Sequence, residues 1–234
     1  EKFANPRRSE ILEGAFGGVE DEDLIQREDM VVTVSHGGYI KRVPLSAYRA
    51  QRRGGRGRSG MSTKDEDFVA NVFVANTHTP MLFFSSIGQV YKLKVYKLPQ
   101  GTPQARGKAM VNMLPLSEGE TITTIMPLPE DETTWNELHI MFATSNGKVR
   151  RNSLDDFSQV KANGKIAIRL DDDDALVGVA TCSEDDDVLL AAHGGKCIRF
   201  PVTAVRVFKS RTSDGVRGIN LGKDDRVLSM SVVR

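Results

Sequence analysis

Arginine and glycine fill every place but the first in the run Gln51, Arg52, Arg53, Gly54, Gly55, Arg56, Gly57, and Arg58 extends it. The chemistry open to such a run is anion binding. Glycine lets the backbone come close to a phosphate and turn its N–H groups inward, and a guanidinium adds a fixed charge with paired hydrogen bonds to phosphate oxygens. Contacts of that kind hold a polyanion without reading a sequence. Alone, the composition is a weak sign, because basic tails and flexible loops share it. Its weight depends on the elements that flank it.

Those elements repeat. Four segments share one pattern of apolar strand, turn and a second strand ending in cations: VVTVSHGGYIKR (31–42), MLFFSSIGQVYK (81–92), IMFATSNGKVRR (140–151) and VLLAAHGGKCIR (188–199). The turn glycines are Gly38, Gly88, Gly147 and Gly195, and four residues beyond them stand Arg42, Lys92, Arg151 and Arg199. Glycine supplies the positive φ of a tight hairpin turn; turn geometry makes no demand for the cation. A second glycine recurs at a similar offset, as Gly57, Gly107, Gly164 and Gly218. A period near fifty residues with β-rich runs between Gly, Asn, Asp and Ser predicts propeller-like blades, each a small sheet that buries its faces only against neighbours. Helix is nearly absent, save a short candidate opening at Asn5 with Pro6 in its first turn and ending in the glycines of 14–18.

Charge is segregated along the chain although Lys plus Arg (32) and Asp plus Glu (31) nearly cancel. Residues 35–64, 68–117 and 189–213 contain no acid, while acids cluster at 20–23, 65–67, 118–137, 171–174 and 184–187. On a repeating structure such blocks place positive potential along one rim. The acidic turns at 171–174 serve either to repel a polyanion from the other faces or simply to keep the surface soluble.

Other chemistries lack their residues. There is no GxxxxGK[ST], GxSxG or HExxH pattern and no EF-hand spacing around 171–174, so no catalytic residue is expected. Cys182 and Cys197 form no CxxC pair and the four histidines are scattered, which predicts no metal ligands and two buried, reduced thiols. His36 and His193 read as turn residues and Trp135 as a packing or loop residue. No run approaches the roughly 18 to 20 apolar residues of a membrane span and no export signal opens the chain, which predicts a soluble, cytoplasmic protein without membrane contact. Beginning at Glu1 and stopping on a strand-like run at Arg234, the chain reads as a piece of something longer, with a flexible linker over residues 1–29.

The run QRRGGRG resembles the basic box of the C-terminal domain of DNA gyrase A. The likeness continues through VANTH (74–78), FSSIGQVYKLKVYKLP (84–99), ARGKAMVNMLPL (105–116), ATSNGKVRR (143–151) and GVRGINL (215–221), and PRRSEI (6–11) resembles the tail of the cleavage domain that precedes it. The resemblance implies an all-β fold, a β-pinwheel of four-stranded blades, about four of an expected six being present: linker 1–29, then blades near 30–79, 80–136, 137–185 and 186–234. It implies that duplex DNA bends and wraps, without sequence preference, around a basic perimeter. The box is the first expected site. Lys41, Arg42, Arg58, Lys92, Lys94, Arg106, Lys108, Arg150, Arg151, Lys165, Lys196, Arg199 and Arg217 are the expected perimeter contacts. The implied partners are the rest of the gyrase A polypeptide and the gyrase B polypeptide in an A2B2 complex, the isolated piece being monomeric. ATP and magnesium act elsewhere in that enzyme, as does the DNA-cleaving tyrosine, so no cofactor is expected here. The equivalent domain of topoisomerase IV, which has a degenerate box, and a protein-binding propeller are the alternatives; the intact box and the repeated cations argue against both.

Overall fold

A computed structural model describes residues 21–48, 61–62 and 67–234. The basic box, Arg58, Gly57 and the helix expected from Asn5 lie outside these residues.

Each of the four expected hairpins forms. The first repeat runs β1 (Asp29–Ser35), β2 (Tyr39–Pro44) and β3 (Val69–Asn76). The second runs β4 (Pro80–Ser85), β5 (Gln89–Lys94), the two-residue β6 (Lys108–Ala109) and β7 (Ile122–Pro127). The third follows as β8 (His139–Thr144), β9 (Lys148–Ser153), β10 (Lys165–Ile166) and β11 (Leu176–Cys182), and the fourth as β12 (Asp187–Ala192), β13 (Cys197–Pro201), β14 (Val216–Arg217) and β15 (Val227–Val233). Short 3-10 turns follow β2, β5, β9 and β13.

The strands do not sort into one sheet per contiguous repeat. Sheet orders are β3-β1-β2-β6, β7-β4-β5-β10, β11-β8-β9-β14 and β15-β12-β13. The short strand of every repeat after the first therefore completes the preceding sheet, with Ile40 opposite Lys108, Val90 opposite Lys165 and Val149 opposite Val216. Neighbouring blades therefore share a strand across the repeat boundary. The last sheet has three strands among the described residues.

At the donation point the backbone needs glycine. Gly107, Gly164 and Gly215 precede the donated strands with φ of +84°, +83° and +98°, and a Cβ on Gly215 would sit 2.3 Å from the Val149 carbonyl oxygen. Gly215, not Gly218, is thus the recurring second glycine of the fourth repeat. The hairpin glycine accepts from residues just past the donated strand: Met110 N–H reaches the Gly38 carbonyl at 2.9 Å, Ala167 that of Gly88 at 2.8 Å and Gly218 that of Gly147 at 2.8 Å.

Burial follows from strand alternation. Between the first and second sheets Met30, Val32 and Val34 meet Met81 and Phe83. Leu82 and Phe84, on the other face of β4, meet Ile140, Phe142 and Phe157 in the next core, where Trp135 is also wholly buried. Met141 and Ala143 then meet Val188, Leu190 and Ala192. Strands between two sheets are covered on both faces; β12, last in the row, alternates, with Leu189 and Ala191 half-exposed. One edge of the blades gathers β7, β11 and β15 as neighbours. The donated strands at the opposite edge of each sheet therefore lie on the periphery.

Candidate nucleic-acid interface

The repeated cation keeps its register. Arg42, Lys92, Arg151 and Arg199 stand opposite Val32, Leu82, Met141 and Leu189 respectively, the same place in each hairpin. Their exposure differs, because the first three are overlaid by the following repeat. Arg42 is half-buried and its Nε donates to the Leu98 carbonyl at 2.9 Å. Lys92 Nζ donates to the Ser158 carbonyl at 2.7 Å and pairs with Glu132 at 2.5 Å. Arg151 is buried, with the nearest acid, Glu184, at 3.8 Å. Only Arg199, which no further repeat covers among the described residues, is exposed; it pairs with Asp187 at 2.6 Å.

The preceding residues behave alike. Lys41 is fully buried and donates to the Thr102 and Pro103 carbonyls at 2.9 and 2.6 Å. Arg150, also fully buried, donates to the carbonyls of Arg211, Ser213 and Ala167, and desolvation draws its guanidinium down to about 10. Lys41, Arg150 and Arg151 are therefore corrected: they are not perimeter groups. A charge placed under a neighbouring loop must find acceptors there, and the carbonyls around the donated strand supply them to Lys41 and Arg150, whereas Nε and Nη1 of Arg151 are buried without a hydrogen-bond partner. Lys94, half-buried, pairs instead with Glu22, whose carboxyl is held below its usual range chiefly by that hydrogen bond. The same Glu22 meets His78 at 3.2 Å, and the Gln26 carbonyl accepts from Thr77 Oγ1 at 2.8 Å. The later part of the expected flexible linker is thus fastened to the first and second repeats.

Exposed cations recur on the donated strands and in the loops before them. Arg106 lies over the Tyr39 ring at 5.7 Å, with Lys108 beside it on β6. Lys161 and the half-buried Lys165, which donates to the Asp156 and Gln159 carbonyls, occupy the same place in the third repeat. Arg206, Lys209 and Arg217 occupy it in the fourth, Arg206 over Phe208 at 4.1 Å. Lys196 is exposed and reaches the Asn220 carbonyl at 2.7 Å. Lys161, Arg206 and Lys209 were not among the expected sites, although the acid-free block 189–213 contains the last two.

Several acids sit at the hairpin turns and build them. Asp67 accepts from Gly37 N at 2.6 Å, Asp174 from Asn146 N at 2.9 Å and Asp225 from Gly194 N at 2.8 Å. Hydrogen bonds from Ser35, Gly37 and Phe68 hold Asp67 below the usual carboxylate range. Asp174 thus has a structural task beyond surface charge. Among the described residues no group of His, Cys, Asp and Glu is placed to hold a metal ion, and no helix is long and apolar enough to cross a membrane.

This arrangement matches known proteins. The sequence profile of the DNA gyrase C-terminal domain, beta-propeller, matches residues 29–76, 80–129, 138–183 and 186–234. The DNA gyrase A polypeptide of Rickettsia felis is 62% identical over the whole chain, which spans 26% of that relative's length. Among solved structures, the C-terminal domain of DNA topoisomerase IV superposes with a TM-score of 0.76 at 26% identity, over 90% of this chain and 62% of that one. A DNA gyrase A C-terminal domain superposes with a TM-score of 0.64, also at 26% identity, over 87% and 64%.

Proposed function

This chain belongs to the DNA gyrase C-terminal domain family of beta-propellers, and on that premise we propose that it binds, bends and wraps duplex DNA around its periphery without sequence preference. The observation that carries the proposal is the recurrence of exposed cations at one structural place: Arg106 and Lys108, then Lys161 beside the half-buried Lys165, then Arg206, Lys209 and Arg217. In the first repeat the corresponding connection, between β2 and β3, contains the basic box in sequence order.

Bending DNA by 40 to 90° over 20 to 30 base pairs costs roughly 1 to 6 kcal/mol. One loop does not hold such a bend. Successive patches do, each neutralised phosphate releasing counterions. Within the whole enzyme, the wrap presents a crossover to the cleavage gate, and ATP-driven strand passage converts it into negative supercoils in the cytoplasm. Residues 30–234 are the wrapping module and 1–29 the link to the cleavage domain; the A2B2 assembly supplies catalysis, ATP and magnesium.

Ligation of nicked circles in the presence of the chain tests this. Replacing Arg52, Arg53 and Arg56 together with Ala lowers the linking-number shift far more than it lowers affinity for linear duplex. An unchanged shift would refute the role given to the box.

A further inference from the structure

Arg150 differs from the residues at the same place in the earlier hairpins. Lys41 reaches one connection, through the carbonyls of Thr102 and Pro103, and Tyr91 turns its hydroxyl to Glu120 at 2.9 Å. The guanidinium of Arg150 spans two successive connections. Nη1 donates to the Arg211 carbonyl at 2.7 Å and to that of Ser213 at 2.5 Å, in the loop leading into β14. Nη2 donates to the Ala167 carbonyl, immediately past β10. Nε donates to Asn152 Oδ1 at 2.8 Å, and Asn152 Nδ2 donates to Asp156 Oδ2 and to the Phe208 carbonyl, both at 3.0 Å. A planar fork with five donors satisfies acceptors on both sides at once, which an ammonium on a flexible stem does not.

Both connections held together carry cations, beside Asp214 in one and Asp155 and Asp156 in the other. One carries Lys209 and Arg211 and leads to Arg217; the other carries Lys165 and leads to Arg169. We propose that Arg150, with Asn152, is a positioning residue for the DNA track: from a buried place that DNA does not touch, it fixes the relative placement of two neighbouring basic patches and so the curvature imposed between them. This rests on the DNA-wrapping reading and assigns its geometry to a group that reading leaves out.

The chain of residues 1–234 is compared with Arg150→Met, Arg150→Lys and Asn152→Ala. Folding is read from the emission of Trp135, the single tryptophan and wholly buried, and from the urea midpoint, so that DNA measurements use folded protein. Affinity for a short duplex, too short to wrap, stays within about threefold of wild type, because no exposed cation is removed. The linking-number shift on nicked circles falls by about half or more in Arg150→Met, because a bend needs its anchors held at a fixed angle. Arg150→Lys keeps the charge, reaches fewer carbonyls and recovers only part of the shift. A folded Arg150→Met with an unchanged shift overturns the positioning role. If that variant does not fold, Asn152→Ala carries the same test with the same overturning result, and failure of all three to fold assigns the pair to core stability alone and also overturns it. Should the wild-type chain neither bind duplex nor shift linking number, the wrapping reading itself fails, which the variants play no part in deciding.

Discussion

A cation in a strand covered on both faces keeps its charge only where acceptors replace water, because an unpaired buried charge costs several kcal/mol. Lys41 and Arg150 meet this condition with backbone carbonyls, and the carbonyls exist because the next repeat folds over them. The same covering decides the two thiols. Ile40, Val90 and Val149 stand second after their turn glycines and are completely buried beneath donated strands. Cys197 stands at that place in the fourth repeat and is exposed, which corrects the expectation of two buried thiols; Cys182 is buried, and burial pushes its thiol up to about 11. The thiolate is the nucleophile, and at pH 8 a group titrating near 11 is ionised in about one molecule in a thousand. A water-soluble maleimide at pH 8 therefore labels one thiol per folded chain and a second only in urea. Mass spectrometry of a time course checks this, and equal labelling rates at the two cysteines would contradict the described core.

The donated strands are the elements on which neighbouring blades depend, and glycine substitutions measure that dependence. Gly215→Ala places a Cβ 2.3 Å from the Val149 carbonyl oxygen at φ +98°. The left-handed backbone costs an L-residue roughly 1 to 2 kcal/mol, and overpacking against a backbone atom adds about 1 to 3 kcal/mol. Gly195→Ala is the control: its φ is +84°, yet a Cβ there meets nothing within 4 Å, and no donated strand pairs with its hairpin among the described residues. Urea midpoints should show the first variant losing clearly more stability than the second; equal losses would mean that β14 contributes little. The hairpins were legible in the sequence, since a continuous apolar run, a turn glycine and a second strand leave few alternatives for a segment such as 81–92. Strand donation was not. A two-residue strand such as Lys108–Ala109 has no alternation to read, and its partner is set by tertiary pairing. The burial of Lys41 and Arg150 was hidden for a related reason: the loop of the following repeat covers them, and strand alternation does not report that cover. Register was legible, and Arg42, Lys92, Arg151 and Arg199 do stand at equivalent places; exposure was not, because it depends on the following repeat.

At the scale of the molecule, affinity and curvature make different demands on the rim. Affinity sums over contacts: each phosphate neutralised adds about 0.9 to the magnitude of the slope of log affinity against log salt. Replacing Arg106 and Lys108 with Ala, at the joint of the first two sheets, lowers that slope by about 2 if both touch phosphate. Replacing Arg206 and Lys209, at the joint of the last two, does the same, and the combined variant shows the sum because distant sites act independently. Curvature does not sum in this way. A stiff duplex stays bent only while held on both sides of the bend, since straightening returns roughly 1 to 6 kcal/mol; loss of the anchors at either end releases the strain stored between them. The linking-number shift of each pair variant therefore falls by much more than half of what the combined variant loses. Salt titration of linear duplex binding and ligation of nicked circles, run on the same three variants, separate the two behaviours. Slopes that do not change would remove these loops from the interface, and shifts that merely add would mean that each patch deflects DNA locally, with no continuous track around the blades.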